Sequence, residues 1–293
     1  MNDADYKFFE DLLRRESGLV ITPEKTYLLE SRLLPLAGKK GLAGLEGIAA
    51  RLRGGMDAEL KRAVVEAMTT NETSFFRDTT PFQRLKSDLM PFFIKNRPSK
   101  TLRIWSAACS SGQEPYSIAM TLREMGVQLA GWKFEIVATD LSNDILAQAK
   151  SATYSQFEVQ RGLPIQMLVK YFSQLDDNRW QLKPEIREMV TFRTANLLQD
   201  LSTLGQFDIV FCRNVLIYFD VATKGRVLAA IRAQMKPDST LLLGGAETVI
   251  GITDLFKPVS EMKGVYARTD GTFAPVAPPV AGYAAPTALP SSA

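Results

Sequence analysis

The stretch Phe207-Asp208-Ile209-Val210-Phe211-Cys212-Arg213-Asn214-Val215-Leu216-Ile217-Tyr218-Phe219 decides how this chain folds. Its first half has the β-branched and aromatic composition of a buried strand, and arginine, asparagine and tyrosine then follow before a helix beginning near Asp220. In an open α/β sheet, ligands bind outside the carboxyl ends of the strands. Arg213, Asn214 and Tyr218 each carry hydrogen-bonding groups that are costly to bury unpaired. Their concentration at one strand end reads either as a ligand site or as a polar turn over the sheet.

The flanking sequence sets that strand in an alternating pattern. Short β-rich runs at Leu102–Ala107, Phe134–Thr139, Met189–Thr194, Phe207–Phe211, Thr240–Leu243 and Gly264–Arg268 are separated by helical stretches such as 113–125, 142–150 and 221–235. Such alternation predicts an α/β fold with a parallel, doubly wound sheet. The stretch 172–188 interrupts it, with Asp176-Asp177-Asn178 as a turn signal before Trp180–Leu182, and predicts a small β insertion. Nothing strand-like precedes residue 100. Tyr6, Phe9, Leu12 and Leu13 lie at helical spacing, Thr22-Pro23 forms a helix start, and Gly41, Gly44, Gly54 and Gly55 punctuate two further helices. The expected organisation is an N-terminal all-helical domain over 1–78, a linker helix over 79–100, the sheet domain over 101–269, and a proline- and alanine-rich tail over 270–293 predicted to be disordered.

Composition narrows the chemistry. The 293 residues are 46% hydrophobic, enough for a full core, yet no apolar run approaches a membrane span. The acidic start Met1-Asn2-Asp3-Ala4-Asp5 is unlike a secretory signal, so the expectation is a soluble cytoplasmic protein with no direct membrane insertion. A net charge of +3 offers no general drive toward nucleic acid. Cys109 and Cys212 are too few for a disulfide framework or a thiolate zinc site, and read as buried free thiols. There is no histidine at all, which removes the usual neutral-pH proton shuttle and the commonest metal ligand. Ser-His-Asp, Cys-His and zinc-hydrolase chemistries are excluded in their usual form, and no metal is expected.

Three further strand ends carry polar groups. After Leu102–Ala107 comes Ala108-Cys109-Ser110-Ser111-Gly112-Gln113-Glu114-Pro115-Tyr116-Ser117, a small-residue loop opening a helix, where a ligand can approach the backbone closely. It is neither G-x-G-x-x-G nor a P-loop, so a pyrophosphate or triphosphate is poorly supported. Glu114 reads as a first-turn carboxylate complementing the helix dipole, or as an acceptor for a ligand ammonium. Asp140 reads as the cap of the next helix, or as the acid that bonds ribose hydroxyls in a nucleotide-binding sheet. Ala195-Asn196-Leu197 and Arg213-Asn214-Val215 place amides where an adenine edge or an amino-acid end can be read. A ligand with ribose, adenine and an amino-acid end, but without phosphate, is S-adenosylmethionine.

With these segments in place the chain resembles the CheR family of chemotaxis-receptor glutamate methyltransferases, from about residue 4 to residue 268. Thr70-Asn71-Glu72-Thr73-Ser74-Phe75-Phe76-Arg77 is similar to the family's linker motif, Cys109–Ser117 to its first cofactor loop, Ala138-Thr139-Asp140 to its ribose motif and Phe211–Phe219 to its catalytic strand end. The resemblance implies a Rossmann-like S-adenosylmethionine-dependent methyltransferase sheet with an N-terminal all-helical domain. It implies protein-glutamate O-methyltransferase activity on methyl-accepting chemotaxis receptors for sensory adaptation, with S-adenosylhomocysteine as product. Carried onto this sequence, it places Asn71, Thr73 and Arg77 against the cofactor from the helical side, Asn196, Leu197, Asn214 and Val215 along its adenine and methionine ends, and Tyr218 beside the transferred methyl. Gln113 stands where many relatives have a second acid, and Gly244-Gly245-Ala246-Glu247 only partly matches the family's Gly-His-Ser-Glu segment.

Two expectations concern the substrate. Lys25, Arg32 and Lys39 recur every seven residues and stay near one helix face, which is either solvated or docks the glutamate-rich receptor helices that the resemblance implies. Relatives that tether to a C-terminal receptor pentapeptide carry a longer, glycine-containing turn in the β insertion, so the short glycine-free path from Phe172 to Leu182 implies pentapeptide independence here. Two other readings compete: a nucleic-acid methyltransferase, opposed by the near-neutral charge and the lack of an Asn-Pro-Pro-Tyr strand end or Pro-Cys nucleophile, and a non-catalytic S-adenosylmethionine sensor, opposed by the presence of both Tyr218 and Arg77.

Overall fold

The computed structural model describes residues 1–55 and 57–275. Asp3–Ser17 (α1), Thr26–Lys39 (α2), Gly44–Arg53 (α3) and Ala58–Met68 (α4) form the helical domain. Their starts follow capping chemistry: the Asn2 side chain accepts from the Asp5 N–H in α1, and Asp57 accepts from Leu60 in α4. Phe9, Leu13, Leu29, Leu33, Ile48 and Val64, all fully buried, make the core these helices share. Lys25 closes a short 3₁₀ turn before α2, and that helix continues through Pro35.

A connecting segment follows. Thr80–Arg84 (α5) and Met90–Asn96 (α6) flank Leu85–Leu89, which is wound as one π-helical turn. Phe75, Phe82, Leu85, Met90 and Phe93 from this region belong to the core of the sheet domain rather than to that of the helical domain.

The sheet domain contains, in chain order, Thr101–Ala107 (β1), Gln113–Glu124 (α7), Lys133–Asp140 (β2), Asn143–Ser151 (α8), Thr153–Ser155 (β3), Gln156–Gln160 (α9), Ile165–Tyr171 (α10), Phe172–Asp176 (β4), Arg179–Leu182 (β5), Pro184–Arg187 (α11), Val190–Thr194 (β6), Phe207–Cys212 (β7), Val221–Ala233 (α12), Met235–Leu243 (β8), Phe256–Pro258 (β9) and Val265–Arg268 (β10). Seven strands form one sheet in the order β6-β2-β1-β7-β8-β10-β9. The first five are parallel and β10 runs antiparallel to both its neighbours, β8 and β9, so the expected doubly wound sheet is present. Strand order reverses between β1 and β7, which is the topological switch point where ligands bind in such sheets. Register then levels three strand ends, because Ala107 lies opposite both Thr139 and Cys212. At the far end of β7 the fully buried Asp208 is neutralised by Arg97 at 2.6 Å and Lys236 at 2.9 Å, so the charge in the middle of this strand sequence is paired away from the site.

Two boundaries differ from the sequence reading. The β insertion is a three-stranded sheet, β3-β5-β4, and so begins at Thr153 rather than near residue 172. Three residues are too few to show a strand period, and β3 exists because Thr153–Ser155 pairs with Arg179–Gln181, a partner more than twenty positions away. The tail expected to lose order at Asp270 stays attached farther on: Asp270 pairs with Arg268 and Arg232, and the buried Phe273 packs on Phe92 with ring centroids 4.5 Å apart. The remainder of that expectation, from residue 276 onward, lies outside the described residues. Among the described residues no helix is long and apolar enough to cross a membrane, and no group of three or more acidic, cysteine or histidine side chains is placed to hold a metal ion.

Candidate active site

The levelled strand ends open into one cleft of about 1030 Å³ between the helical domain and the sheet. Asn71, Thr73, Arg77, Glu114, Asp140, Asn196, Leu197, Asn214, Val215 and Tyr218 all line it, whereas Lys25, Arg32 and Lys39 do not.

The small-residue loop after β1 turns tightly. Ala108, Ser110 and Gly112 all have positive φ, and a Cβ on Gly112 would sit 3.1 Å from Ala149 and 3.2 Å from the ring of Tyr116. Glycine is therefore required at position 112 on both conformational and packing grounds. The loop is pinned to the Asp140 carboxylate, which accepts from the Ser110 N–H at 2.9 Å and from the Ser142 N–H at 3.1 Å. Burial pushes the Asp140 pKa above the ordinary carboxylate value, an effect that hydrogen bonds from Ser142, Ser110 and Leu141 only partly offset. An ionised carboxylate has about four lone-pair sites, so these backbone donors do not exhaust its capacity to accept from a ribose hydroxyl. The helix-cap role of the adjacent segment belongs instead to Ser142, whose hydroxyl accepts from Ile145. An acid at this strand end with lone pairs left over, beside a loop shaped for close approach, fits the ribose of S-adenosylmethionine.

Glu114 is more constrained than a first-turn carboxylate at a helix start. Arg213 reaches one of its oxygens at 2.9 Å and Ser106 donates to the other at 2.8 Å. The Arg213 side chain is almost wholly buried and also binds Asp78 at 2.6 Å and the Arg77 carbonyl at 2.9 Å. It thereby clamps the linker that bears Arg77 onto the cofactor loop. That linker needs the clamp, since Phe76, Asp78 and Thr79 all have positive φ, a backbone region that residues other than glycine rarely adopt. Arg77 itself donates to the Glu72 carbonyl at 3.0 Å.

The helical domain closes the cleft through contacts that sequence reading did not identify. Ser17 and Leu19, at the end of α1, line the cleft. Gly18 between them has φ +76, and a Cβ there would meet Thr223 at 3.0 Å and Phe219 at 3.1 Å, so the chain passes directly over the segment bearing Tyr218. The Val20 N–H donates to the Tyr218 carbonyl at 3.1 Å, and the Asn196 amide donates to the Glu16 carbonyl at 2.7 Å. Gly18 ends α1 as a left-handed C-cap, and nothing local in the sequence reveals what it packs on. Asn196 retains one amide hydrogen and one lone pair after its bonds to Glu16 and Leu198.

The proposed basic face is only partly free. Arg32 donates to the carbonyls of Met68 at 2.7 Å and Thr69 at 2.9 Å, and to the Thr70 hydroxyl at 3.1 Å. It caps the carboxyl end of α4 and is half-buried, so it is not part of an open cationic stripe; Lys25 and Lys39 are exposed.

Comparison with known proteins agrees with this geometry. The family described as the CheR methyltransferase all-alpha domain matches residues 4–69, and the CheR methyltransferase SAM binding domain matches residues 71–265. Chemotaxis protein methyltransferase Cher2 of Pseudomonas putida is 42% identical over 266 residues, covering 90% of this chain and 97% of that protein. Chemotaxis protein methyltransferase 1 of Pseudomonas aeruginosa is 43% identical over 274 residues, covering 91% and 98%. The chemotaxis protein methyltransferase of Borreliella burgdorferi is 35% identical over 243 residues, covering 81% and 86%. With an all-helical domain and an S-adenosylmethionine-binding sheet domain in the matched order, this chain belongs to the CheR methyltransferase family.

Proposed function

We propose that this protein methylates glutamate side chains of methyl-accepting chemotaxis receptors in the cytoplasm, forming glutamyl methyl esters for sensory adaptation. The observation that carries the reading is the convergence in one cleft of every residue proposed for cofactor or catalysis, with Tyr218 and Arg77 among them. The names of the relatives, chemotaxis protein methyltransferases, support the same substrate class.

When bound, S-adenosylmethionine would supply a sulfonium-activated methyl with a neutral thioether as the leaving group. A glutamate carboxylate, which ordinarily titrates near pH ~4.3, is already ionised at neutral pH. One of its oxygens forms the new bond to the methyl carbon as the carbon–sulfur bond breaks, and no proton moves. A chain without histidine can therefore perform the step. Its task is to align the acceptor oxygen, the carbon and the sulfur, which is an orientation effect. Asp140 would hold the ribose, Glu114 would accept from the ammonium, and Asn71, Thr73, Asn196, Leu197, Asn214 and Val215 would line the rest. The Tyr218 hydroxyl orients the incoming carboxylate, while Arg77 holds the methionine end and steers the substrate.

The test is radiolabelled methyl transfer to receptor-containing membranes. Label released by mild alkali is expected, as from a carboxylate ester; alkali-stable label would point to nucleic acid or another acceptor, and no transfer despite cofactor binding would point to a sensor. In the same assay Tyr218→Phe should keep product affinity near wild type and slow transfer, and Arg77→Ala should impair both. A Tyr218→Phe protein with the wild-type rate would remove the hydroxyl from the mechanism.

Substrate capture is proposed to proceed without a receptor pentapeptide. The β4–β5 hairpin turns through Asp177-Asn178 with Asp176 paired to Arg179, and no residue in it is glycine or has positive φ. Such a compact turn does not favour close approach of an added peptide backbone. The methylation helices would dock instead on the helical domain, where Lys25 and Lys39 remain exposed. Titration with a tethering pentapeptide is expected to show no micromolar binding, and truncation of the receptor's C-terminus is expected to leave methylation intact. Binding, or loss of methylation on truncation, would contradict this.

A further inference from the structure

Glu247 lies in the segment that matched the family only in part, and its surroundings give it a specific task. Its side chain comes from the loop after β8 and is buried beneath the end of β7. One carboxylate oxygen accepts from the N–H groups of Val215 at 2.9 Å and Leu216 at 2.7 Å; the other accepts from Asn214 at 2.8 Å and Gly244 at 2.7 Å. Three successive backbone N–H groups thus converge on one anion, the arrangement that elsewhere binds phosphate or another ligand anion, and here the anion is a side chain. Four hydrogen bonds fill the carboxylate's capacity, so Glu247 has nothing left to offer a ligand.

The convergence depends on Asn214, whose φ of +58 turns the chain sharply at the strand end. Asparagine tolerates the left-handed region better than most residues, and the four bonds hold it there. The held segment leads directly into Tyr218 through a single turn closed by Tyr218 N–H to Val215 at 3.2 Å and Phe219 N–H to Leu216 at 3.1 Å. No glycine separates Asn214 from Tyr218 to loosen the connection. Space on the other side is equally tight. A Cβ on Gly244 would fall 2.7 Å from a Glu247 oxygen and 2.9 Å from the Asn214 amide.

We infer that Glu247 is a positioning residue that fixes the backbone from which Asn214 and Val215 meet the cofactor and Tyr218 meets the acceptor, an inference that rests on the site reading proposed above. Glutamine would supply one oxygen and set an amide N–H₂ against two N–H donors.

The test uses the full chain with S-adenosylhomocysteine calorimetry and receptor-membrane kinetics. Glu247→Gln is expected to weaken product binding on the order of tenfold or more, and to lower kcat. Its effect on kcat should shrink when Tyr218→Phe is already present, because both act through the same hydroxyl. Gly244→Ala, which keeps the carboxylate but crowds it, should show the same pattern with smaller amplitude. A purely structural role would lower Tm and leave kcat effects that multiply in full with Tyr218→Phe; that outcome, or a folded Glu247→Gln protein with wild-type affinity and rate, overturns the inference. Should Glu247→Gln fail to fold, Gly244→Ala decides, and wild-type affinity and rate in that variant overturn it. If Tyr218→Phe alone has the wild-type rate while Glu247→Gln still binds product weakly, the Tyr218 reading fails and the anchor stands.

Discussion

Arg213→Leu is expected to destabilise the protein by about 3–5 kcal/mol, the range for removing one partner of a buried ion pair. The guanidinium is almost wholly buried, and it is the charge partner of Glu114, itself only 12% exposed at 2.9 Å. Leucine has a similar apolar reach but leaves that carboxylate enclosed with no charge partner and only the Ser106 hydroxyl donating to it. Asp78 is half exposed and should lose much less. The Arg77 carbonyl loses its donor at the same time, and the positive-φ residues Phe76, Asp78 and Thr79 lose the clamp that holds them. A fall in Tm on the order of 10 °C follows from the size of the chain. Thermal unfolding checks the stability loss, and product calorimetry on the folded fraction should show weakened binding. A Tm within 2 °C of wild type, roughly the shift of a sub-kilocalorie effect, would show that Glu114 and Asp78 find other partners.

Asp140→Ala is expected to weaken S-adenosylhomocysteine binding by about 1.5–3 kcal/mol, the cost of losing a hydrogen bond to a charged group. That corresponds to roughly tenfold to more than a hundredfold in Kd. The effect should depend on pH in a definite direction. Burial raises the Asp140 pKa, so its proton is held more tightly in the folded state than in the unfolded one. The associated contribution to stability is complete below the unfolded pKa and is lost as pH rises through the folded value; at neutral pH, ionised Asp140 therefore disfavours the cofactor-free fold. Ribose recognition, by contrast, needs the ionised form. Product affinity in the wild type should fall on acidification through a window above the ordinary aspartate range, and Asp140→Ala should lack that fall. Calorimetry across pH measures both, and an Asp140→Ala protein with unchanged affinity would remove the ribose assignment.

Much of the site was legible because the relevant signals are local. A strand that ends in Arg-Asn-Val-Leu-Ile-Tyr, a small-residue loop opening a helix and an acid closing the next strand each declare themselves within ten residues. Parallel pairing in register then brings them level, as the alternating pattern implied. Asp140 illustrates the limit of such reading. Its position singled it out, but that Ser142 rather than Asp140 caps α8 follows only from hydrogen bonds.

What the amino-acid sequence determined by itself is the class of fold, the helical domain ahead of it, the kind of cofactor, and the exclusion of histidine chemistry. Fold class and the helical domain rest on period and propensity, the exclusion of histidine chemistry on composition, and the cofactor on short strand-end motifs and the family they resemble, all properties of neighbours along the chain. Tertiary structure decided where polar side chains find their partners. Arg32 left the expected cationic face because the end of α4, thirty-six positions away, presents it with unsatisfied carbonyls. Thr153–Ser155 became a strand because Arg179–Gln181 lies beside it, and Phe273 remained packed because Phe92 offers a ring. Glu247 and Arg213 read in sequence as one carboxylate in a glycine-rich turn and one cation after a strand. Each acquires its role from groups more than thirty residues distant, since a buried charge must be satisfied by whatever donors or acceptors the completed fold brings within hydrogen-bonding reach.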